Sequence, residues 1–474
     1  MEILKKLFEI DTQLEVSEMK QLTPAGSNRQ YFRLMNGDCK RVGVIGTSVE
    51  ENRAFFALAK QFEKVGINAP KLLQISEDEV HYLISDLGDL MLFDAFKTGA
   101  ESGKFTDEQK QLVLKTIREL PKIQYEVACD FDFSNCYPQA AFNERSVFWD
   151  LNYFKYSFLK TTGVEFNEDL LEDEFQKFAQ ILVKEQTNTF MYRDFQSRNV
   201  MLVDNTPYFI DFQGGRKGPI YYDVASFVYQ AKANFPKLFK EELIEAYCEA
   251  LQQYNPISKS DFQQKFAYFL LFRTLQVLGA YGFRGRFEQK AHFIQSIPFA
   301  LHNLKEILTD NRYPELPYLV DVLKQMLECQ KDIAVESYDK LCVKVYSFSY
   351  KKGIPVDYSG NGGGYVFDCR ALHNPGRYEP YKKLTGRDAS VIKFIEESPT
   401  VAEFLKSVYA IADISVSKYI ERGFKNLQFS FGCTGGQHRS VYGAEHLATY
   451  LKQKYGDEII VDLIHREQKI REIK

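Results

Sequence analysis

At 474 residues the chain exceeds what one hydrophobic core ordinarily supports, so two or three domains are expected. A hydrophobic fraction of 45% with 15% aromatic residues excludes a disordered chain, and a formal net charge of -4 gives no overall pull toward nucleic acid. The eight cysteines form no C-x-x-C pair and the seven histidines no H-x-x-x-H pair, which argues against a zinc site and for reduced thiols in a cytoplasm. The opening MEILKKLFEIDTQLEV carries acids inside its apolar stretch and reads as an amphipathic helix rather than a signal peptide. Residues 31–34 and 41–46 have strand character, and apolar residues at i, i+3 and i+4 predict a helix over 52–65. From about residue 90 to 318 helical periodicity dominates, and no run approaches the roughly 18 uninterrupted apolar residues of a membrane span. One island, 191–211, breaks that periodicity with short apolar runs between polar turns. A polar join at 328–340 leads to a third region. There strand-like runs at 341–348, 365–368, 427–431 and 459–463 alternate with helices at 390–397, 401–422 and 440–455, predicting an α/β domain around a central sheet. The Gly-rich SGNGGG at 359–364 is expected as a mobile loop.

A small strand-rich lobe followed by a larger helical lobe is the layout of the two-lobed, protein-kinase-like α+β fold. The expected organisation is therefore an N-lobe over 1–89, a helical C-lobe over 90–330 and a separate α/β domain over 340–474. The most informative stretch is MYRDFQSRNVMLVDNTPYFIDFQ at 191–213. Asp194 precedes Asn199, a short apolar strand follows, and a turn at 204–207 leads to a second strand ending at Asp211. Two such strands bring Asn199 and Asp211 to one end of a hairpin. Phosphoryl transfer from ATP needs metal held against the phosphates and a carboxylate aimed at the attacking hydroxyl. Asp194 is placed for the second task, Asn199 and Asp211 for the first, and oxygen ligands of this kind suit Mg²⁺. SDLGD at 85–89, with Asp86, reads as the hinge between lobes. GSNRQYFRL at 26–34 reads as a turn covering the nucleotide, with Gly26, Ser27 and Asn28 offering backbone N–H groups near the phosphates. The strand VGVIGTS at 42–48 carries no lysine, so Arg29 or Arg33 is expected to supply the positive charge.

Residues from about 20 to 310 resemble the aminoglycoside-phosphotransferase-like kinases, and more closely the anomeric kinases of N-acetylmuramate and N-acetylglucosamine. GSNRQYFRL, GINAPKLL, LISDLGD, YRDFQSRNVML, IDFQ, GPIYYDVASF and RTLQVLGAYG carry the resemblance, in the family's order. It implies phosphorylation of the anomeric hydroxyl of a free amino sugar from the cell wall, with Asp194 as base and Asn199 and Asp211 as metal ligands. Tyr192 stands where such kinases usually have His, a position expected to be structural. Asp223 is expected to serve as an N-cap or an acceptor for the catalytic loop. Arg216 and Lys217 read equally as substrate contacts or as a solvated turn.

In the third region FSFGCTGGQHRSVYGAEHLATYL at 429–451 runs from a strand through a glycine turn into a helix. Such a loop turns backbone N–H groups and the helix dipole toward an anion, with Cys433, Thr434, Gly435, Gly436, His438, Arg439 and Ser440 around it and Arg439 as a bidentate partner. Cys433 and Arg439–Ser440 also fit the C-x5-R-S pattern of cysteine phosphatases, for which Asp357, Asp368 and Asp388 are the candidate acids. Residues 343–467 resemble the carboxy-terminal domain of the RapZ family of RNase adapters, through VYSFSYKKGIPVD, YVFDCRALHNP, LTGRDASV, FGCTGGQHRSV and HRE. That resemblance implies a non-catalytic pocket for an amino-sugar phosphate and, in some members, binding of small RNA. Lys344, Lys351, Lys352 and Arg387 would form the basic face. The family's P-loop domain has no counterpart here. The two halves together read as an amino-sugar kinase joined to an amino-sugar-phosphate sensor, the alternative being a regulatory nucleotide- and RNA-binding adapter without kinase activity.

Overall fold

The first sheet begins where alternating apolar residues meet tight turns. In a computed structural model that describes residues 1–22, 29–185, 188–309, 312–330, 338–359, 361 and 363–474, strands β1 (Glu18–Leu22), β2 (Gln30–Asn36), β3 (Cys39–Ile45), β4 (Leu72–Ile75) and β5 (His81–Ser85) form an antiparallel sheet in the order β1-β2-β3-β5-β4. The opening segment folds as the expected amphipathic helix, α1 (Glu2–Thr12), whose Leu4, Leu7 and Phe8 pack with Phe32, Leu34 and Leu83 of the sheet. Helix α2 (Val49–Lys64) starts at Ser48, whose side chain accepts a hydrogen bond from the Glu51 amide. Gly26, Ser27 and Asn28, expected at the phosphates, lie outside the described residues, as do Gly360 and Gly362 of the 359–364 run and most of the 328–340 join.

The helical lobe comprises α3 (Leu92–Ser102), α4 (Asp107–Glu126), α5 (Glu144–Ser157), α6 (Glu168–Lys184), α7 (Tyr221–Val228), α8 (Lys237–Leu251) and α9 (Lys259–Tyr281); α10 (Ala291–Ile294), α11 (Ile297–Ile307) and α12 (Pro317–Cys329) follow. A capping box between Thr106 and Gln109 starts α4. Helix α9 is apolar nearly all round, and Phe262, Phe269 and Phe272 pack against Tyr221, Phe142 and Phe178. Among the described residues Lys259–Phe287 is long and apolar enough to cross a membrane, and 61% of its apolar window is buried within the molecule, as in a core helix. The expected island forms β6 (Thr189–Met191), β7 (Val200–Val203), β8 (Thr206–Phe209) and β9 (Arg216–Gly218), with β7 pairing β8 and β6 pairing β9. Asp204 and Asn205 join β7 to β8 with φ of 49° and 57°, the doubly left-handed backbone of a two-residue hairpin turn.

The chain divides into one unit of 1–280 with 299–327 and another of 281–298 with 328–474. Residues 281–298, expected in the helical lobe, thus group with the carboxy-terminal unit. Arg286 donates to the Tyr358 hydroxyl at 3.2 Å and Gln295 to the Ser359 carbonyl at 2.8 Å. In this unit β10 (Leu341–Ser349), β11 (Tyr365–Asp368), β12 (Asn426–Cys433), β13 (Ile459–His465) and β14 (Ile470–Ile473) form a sheet ordered β11-β12-β10-β13-β14, parallel except for the β13–β14 hairpin. Helices α13 (Ala389–Glu396), α14 (Pro399–Glu421) and α15 (Arg439–Tyr455) are associated with it. Buried Val343, Val345, Phe429, Phe431, Val461 and Leu463 supply the core strands. This is the α/β domain that the alternating pattern predicts.

Candidate active site

The segment between β6 and β7 is held by one buried carboxylate. Asp223, in the first turn of α7 and without solvent exposure, accepts hydrogen bonds from the Tyr192 amide at 2.7 Å and the Arg193 amide at 2.8 Å. It is therefore an acceptor for the loop and not an N-cap. Burial pushes its carboxyl up to about 7, against the pull of those two amides. Arg193, at a φ of 78°, ion-pairs with Asp150 of α5 at 2.9 Å, which fixes the turn that presents Asp194. Tyr192 is buried and donates its hydroxyl to the Ile210 carbonyl, so this position links the loop to the end of β8.

The hairpin then closes the constellation. The Ile210 amide donates to the Asn199 carbonyl at 3.0 Å, tying the start of β7 to the end of β8. Asn199 Nδ2 donates to Asp194 Oδ2 at 3.2 Å and Asp211 Oδ2 at 3.4 Å. Asp194, Asn199 and Asp211 thus meet at one point, with Asp211 in the left-handed region at φ 65°. Two glutamines complete the arrangement: Gln196 donates to Asp194 Oδ1 at 2.8 Å and Gln213 to Asp211 Oδ1 at 2.6 Å. Arg273 of α9 lies 3.7 Å from Asp194 Oδ1 and donates to Ser226 at 3.0 Å. Desolvation, reinforced by the Asp211 charge, holds Asp194 above the usual carboxylate range, while Arg273 and the amide donors of Asn199 and Gln196 oppose the rise. The Asp194 side chain keeps 43% of its surface exposed, which leaves access for an acceptor hydroxyl.

Donor chemistry fits magnesium here. Asn199 turns its amide nitrogen toward both carboxylates, leaving Oδ1 as a free oxygen donor beside Asp211. Among the described residues no cluster of three or more His, Cys, Asp or Glu stands at ligand spacing. An amide oxygen with one carboxylate is the sparse oxygen set that Mg²⁺ takes alongside waters and phosphates.

The remaining expected nucleotide contacts divide. Arg33 and Asp86 engage each other: Arg33 donates to Asp86 at 2.6 and 2.9 Å, to Asp89 at 2.8 Å and to the Gly88 carbonyl at 3.1 Å. With its donors spent this way, Arg33 stiffens the 85–89 turn and is a poor phosphate ligand. Arg29 is buried and lies 3.2 Å from Glu51 of α2. Arg216 is buried on β9, where burial and the nearby Arg193 lower it to about 10, so it does not sit in a solvated turn. Glu51, Asp150, Gln196, Gln213 and Arg273 were given no role by sequence reasoning. Three of them carried a signal: Gln196 and Gln213 each stand two residues after an aspartate, and Arg273 opens the RTLQVLGAYG run.

In the carboxy-terminal unit β12 ends at Cys433 and α15 begins at Arg439. The Gly436 amide donates to Cys433 Sγ at 3.2 Å, and Ser440 Oγ lies 3.1 Å from the same sulfur. Burial works against the thiolate, but the Ser440 and Gly436 hydrogen bonds and the Arg439 charge outweigh it and hold Cys433 below the usual thiol range. Gly436 has φ 68° and lies so close to the Ser349 amide that a Cβ would meet it at 2.8 Å, so only glycine fits. Thr434 and Gly435 are exposed at the loop's tip. Two expectations change. Arg439 commits Nη1 to the carbonyls of Arg370 and Leu372 at 2.9 and 3.2 Å, leaving buried Nε without a protein partner, so a bidentate anion contact is confined to the Nε–Nη2 edge. His438 is buried with Nε2 2.9 Å from the Tyr381 carbonyl, so this nitrogen is engaged with backbone. Every acid considered for a phosphatase is also engaged: Asp357 with Ser359 and Gly363, Asp368 with Arg370, Asp388 with Thr385. Hydrogen bonds hold Asp368 and Asp388 below the usual range, which unfits them as general acids. The basic face is depleted as well, since Arg387 pairs with Glu445 and Glu472 and Lys352 with Glu467.

A strand-rich lobe, a helical lobe and a hairpin joining Asp194, Asn199 and Asp211 define a phosphotransferase of the two-lobed, kinase-like class. The chain belongs to the phosphotransferase enzyme family, which matches residues 19–257, and residues 341–469 match the RapZ C-terminal domain. A nucleotide-binding protein of Acidithiobacillus ferrooxidans is 40% identical over 141 residues, covering 30% of this chain and 44% of that protein. One from Thermosipho africanus is 34% identical over 130 residues, covering 27% and 43%. The chain therefore spans less than half the length of these curated relatives. Among solved structures, the choline kinase LicA from Streptococcus pneumoniae aligns with a TM-score of 0.44 at 12% identity, covering 65% of this chain and 98% of that one. A choline/ethanolamine kinase family protein from Mesorhizobium loti aligns at 0.45 and 13%, covering 68% and 98%.

Proposed function

We propose that the protein is a cytoplasmic, ATP-dependent kinase of a cell-wall amino sugar, N-acetylmuramate or N-acetylglucosamine, acting at the anomeric hydroxyl. The observation that carries the kinase reading is the meeting of Asp194, Asn199 and Asp211 within hydrogen-bond reach of one another. The acceptor hydroxyl attacks the γ-phosphorus of ATP in line, its proton passes to Asp194 Oδ, the bond to the β–γ bridging oxygen breaks, and ADP leaves with that electron pair. Gln196 and Asn199, both donating to Asp194, hold its carboxylate in place to take that proton. Asn199 Oδ1 and the Asp211 carboxylate would hold magnesium, which when bound would supply positive charge to the nucleotide's phosphates. Asp223, through the Tyr192 and Arg193 amides, keeps the base oriented. In the carboxy-terminal unit, the Cys433 loop and Arg439 Nε bind the phosphate of an amino-sugar phosphate without reacting with it.

Incubation with MgATP and each sugar, read by ADP release and by the phosphorus NMR signal of a glycosyl phosphate, tests this reading. Turnover with N-acetylmuramate or N-acetylglucosamine supports it. MgATP binding without turnover on either sugar, together with RNA retention, would establish the adapter instead.

A further inference from the structure

The strand that would carry a phosphate-binding lysine offers apolar residues in its middle. On β3, Val42 and Val44 are buried, and the only cations, Lys40 and Arg41, stand at its start, with Arg41 turned to Asp11 at 2.7 Å. Arg33 is consumed by Asp86 and Asp89. A nucleotide's phosphates still need a fixed positive charge near the metal ligands, beyond magnesium itself.

We propose that Arg29, held by Glu51 of α2, is the side chain that contacts the nucleotide's phosphates in place of a strand lysine. Arg29 stands immediately before β2, is only 2% exposed and lies 3.2 Å from Glu51. Glu51 belongs to the first turn of α2, and one turn further along the same helix face stands Phe55. The Phe55 ring stacks on Phe212 at 5.1 Å and Phe62 stacks on the same ring at 4.4 Å. Phe212 directly follows Asp211, so two aromatic contacts register α2 against the metal-ligand end of the hairpin. Phe55 also packs on Tyr82 at 5.3 Å, which sits on β5. The charges of Arg29 and Asp211 are both felt at the hydroxyls of Tyr31 and Tyr82. A buried guanidinium, paired with a helix that those aromatic contacts register against the residue after Asp211, would present its charge toward the phosphates of a bound nucleotide. Its fork binds phosphate oxygens more directionally than an ammonium. Glu51 is the positioning residue: it neutralises Arg29 in the free protein and fixes the fork's direction.

This inference rests on the kinase reading, and the experiment separates the two. Full-length wild type, Arg29→Met, Arg29→Gln, Arg29→Lys and Glu51→Gln are titrated with MgATP and with adenosine, which lacks phosphates. Arg29→Met should weaken MgATP binding roughly 10- to 100-fold, the loss expected for one charge-assisted contact. Adenosine binding should stay within about twofold, and Arg29→Lys should recover most of the MgATP affinity, since a charge is restored. Glu51→Gln should give a smaller loss with a lowered kcat. If Arg29→Met fails to fold, Arg29→Gln and Glu51→Gln decide: unchanged MgATP affinity in both overturns the proposal. Equal loss of MgATP and adenosine in Arg29→Met also overturns it, because that pattern belongs to a structural residue. Wild type that binds no MgATP would instead sink the kinase reading itself.

Discussion

Replacing Asp223 by Ala removes the carboxylate that accepts from two backbone amides of the Asp194 loop. The Tyr192 and Arg193 amides, at 2.7 and 2.8 Å, would lose an acceptor that is itself fully buried. Each orphaned buried donor costs roughly 1–3 kcal/mol, so a loss of roughly 2–6 kcal/mol is expected. The pH dependence has a definite sign. The native carboxyl stands at about 7. The unfolded one stands at about 3.9, so the native state holds a proton that the unfolded state releases between these limits. Wild-type stability therefore falls as pH rises from about 4 to 7, by about 4 kcal/mol at 1.36 kcal/mol per pH unit. Asp223→Ala lacks this slope, so the gap between the two proteins narrows with rising pH. Urea unfolding at pH 5 and pH 8, following the transition that MgATP shifts, measures the gap. A difference below about 1 kcal/mol at both pH values, or one that widens with pH, would refute the reasoning. The second result would mean that the two amides keep Asp223 ionised despite its burial.

Asp194→Asn should lower kcat by roughly 10²–10⁴ with little change in MgATP binding, as for loss of a general base; near-normal turnover would remove Asp194 from that role. Asp211→Ala should abolish Mg²⁺-dependent nucleotide binding and turnover, and full activity across a magnesium titration would count against the hairpin assignment. Arg439→Ala should weaken glucosamine 6-phosphate binding by roughly 10- to 150-fold in calorimetry, the equivalent of 1.5–3 kcal/mol. Cys433→Ser should leave that binding and the thermal midpoint largely intact, whereas a phosphatase would lose phosphomonoester hydrolysis in this variant.

The features that were legible in the sequence are those fixed by short-range pattern. Asp194 and Asn199 are close in sequence, and a two-residue turn at Asp204–Asn205 carries the chain back to Asp211, so spacing and turn chemistry alone bring the three together. Strands β10, β12 and β13 of the carboxy-terminal sheet were legible because they are buried, largely apolar runs. Partners of charged residues were not legible, because they are chosen by tertiary packing. Arg33 and Asp86 read as two separate nucleotide contacts, yet β3 pairs with both β2, which carries Arg33, and β5, which ends just before Asp86, and across it the two side chains neutralise each other. Arg439 reads as a free fork at a helix start, but the carbonyls of Arg370 and Leu372 occupy one of its nitrogens. Glu51 carried no local signal at all; only the aromatic contacts of α2 with Phe212 give it meaning.

The chemistry of the two proposed ligands limits how the halves can be related. A kinase acting on the anomeric oxygen makes a glycosyl phosphate, whereas glucosamine 6-phosphate carries its dianion at the far end of the ring. In the proposed site the Cys433 loop would meet a dianion with backbone amides and the Arg439 guanidinium, and these read charge, not the identity of the sugar. Discrimination must then come from side chains that meet the ring and its amino group. Thr434 is the exposed side chain at the loop's tip, beside exposed Gly435, and exposed Lys351 lies just beyond Ser349, whose hydroxyl donates to the Thr434 carbonyl at 2.7 Å. A cation such as Lys351 disfavours a free ammonium near it and tolerates an N-acetyl group. By that electrostatic criterion, an acetylated sugar phosphate is at least as good a ligand as glucosamine 6-phosphate, and the kinase's own product becomes a ligand worth ranking beside it.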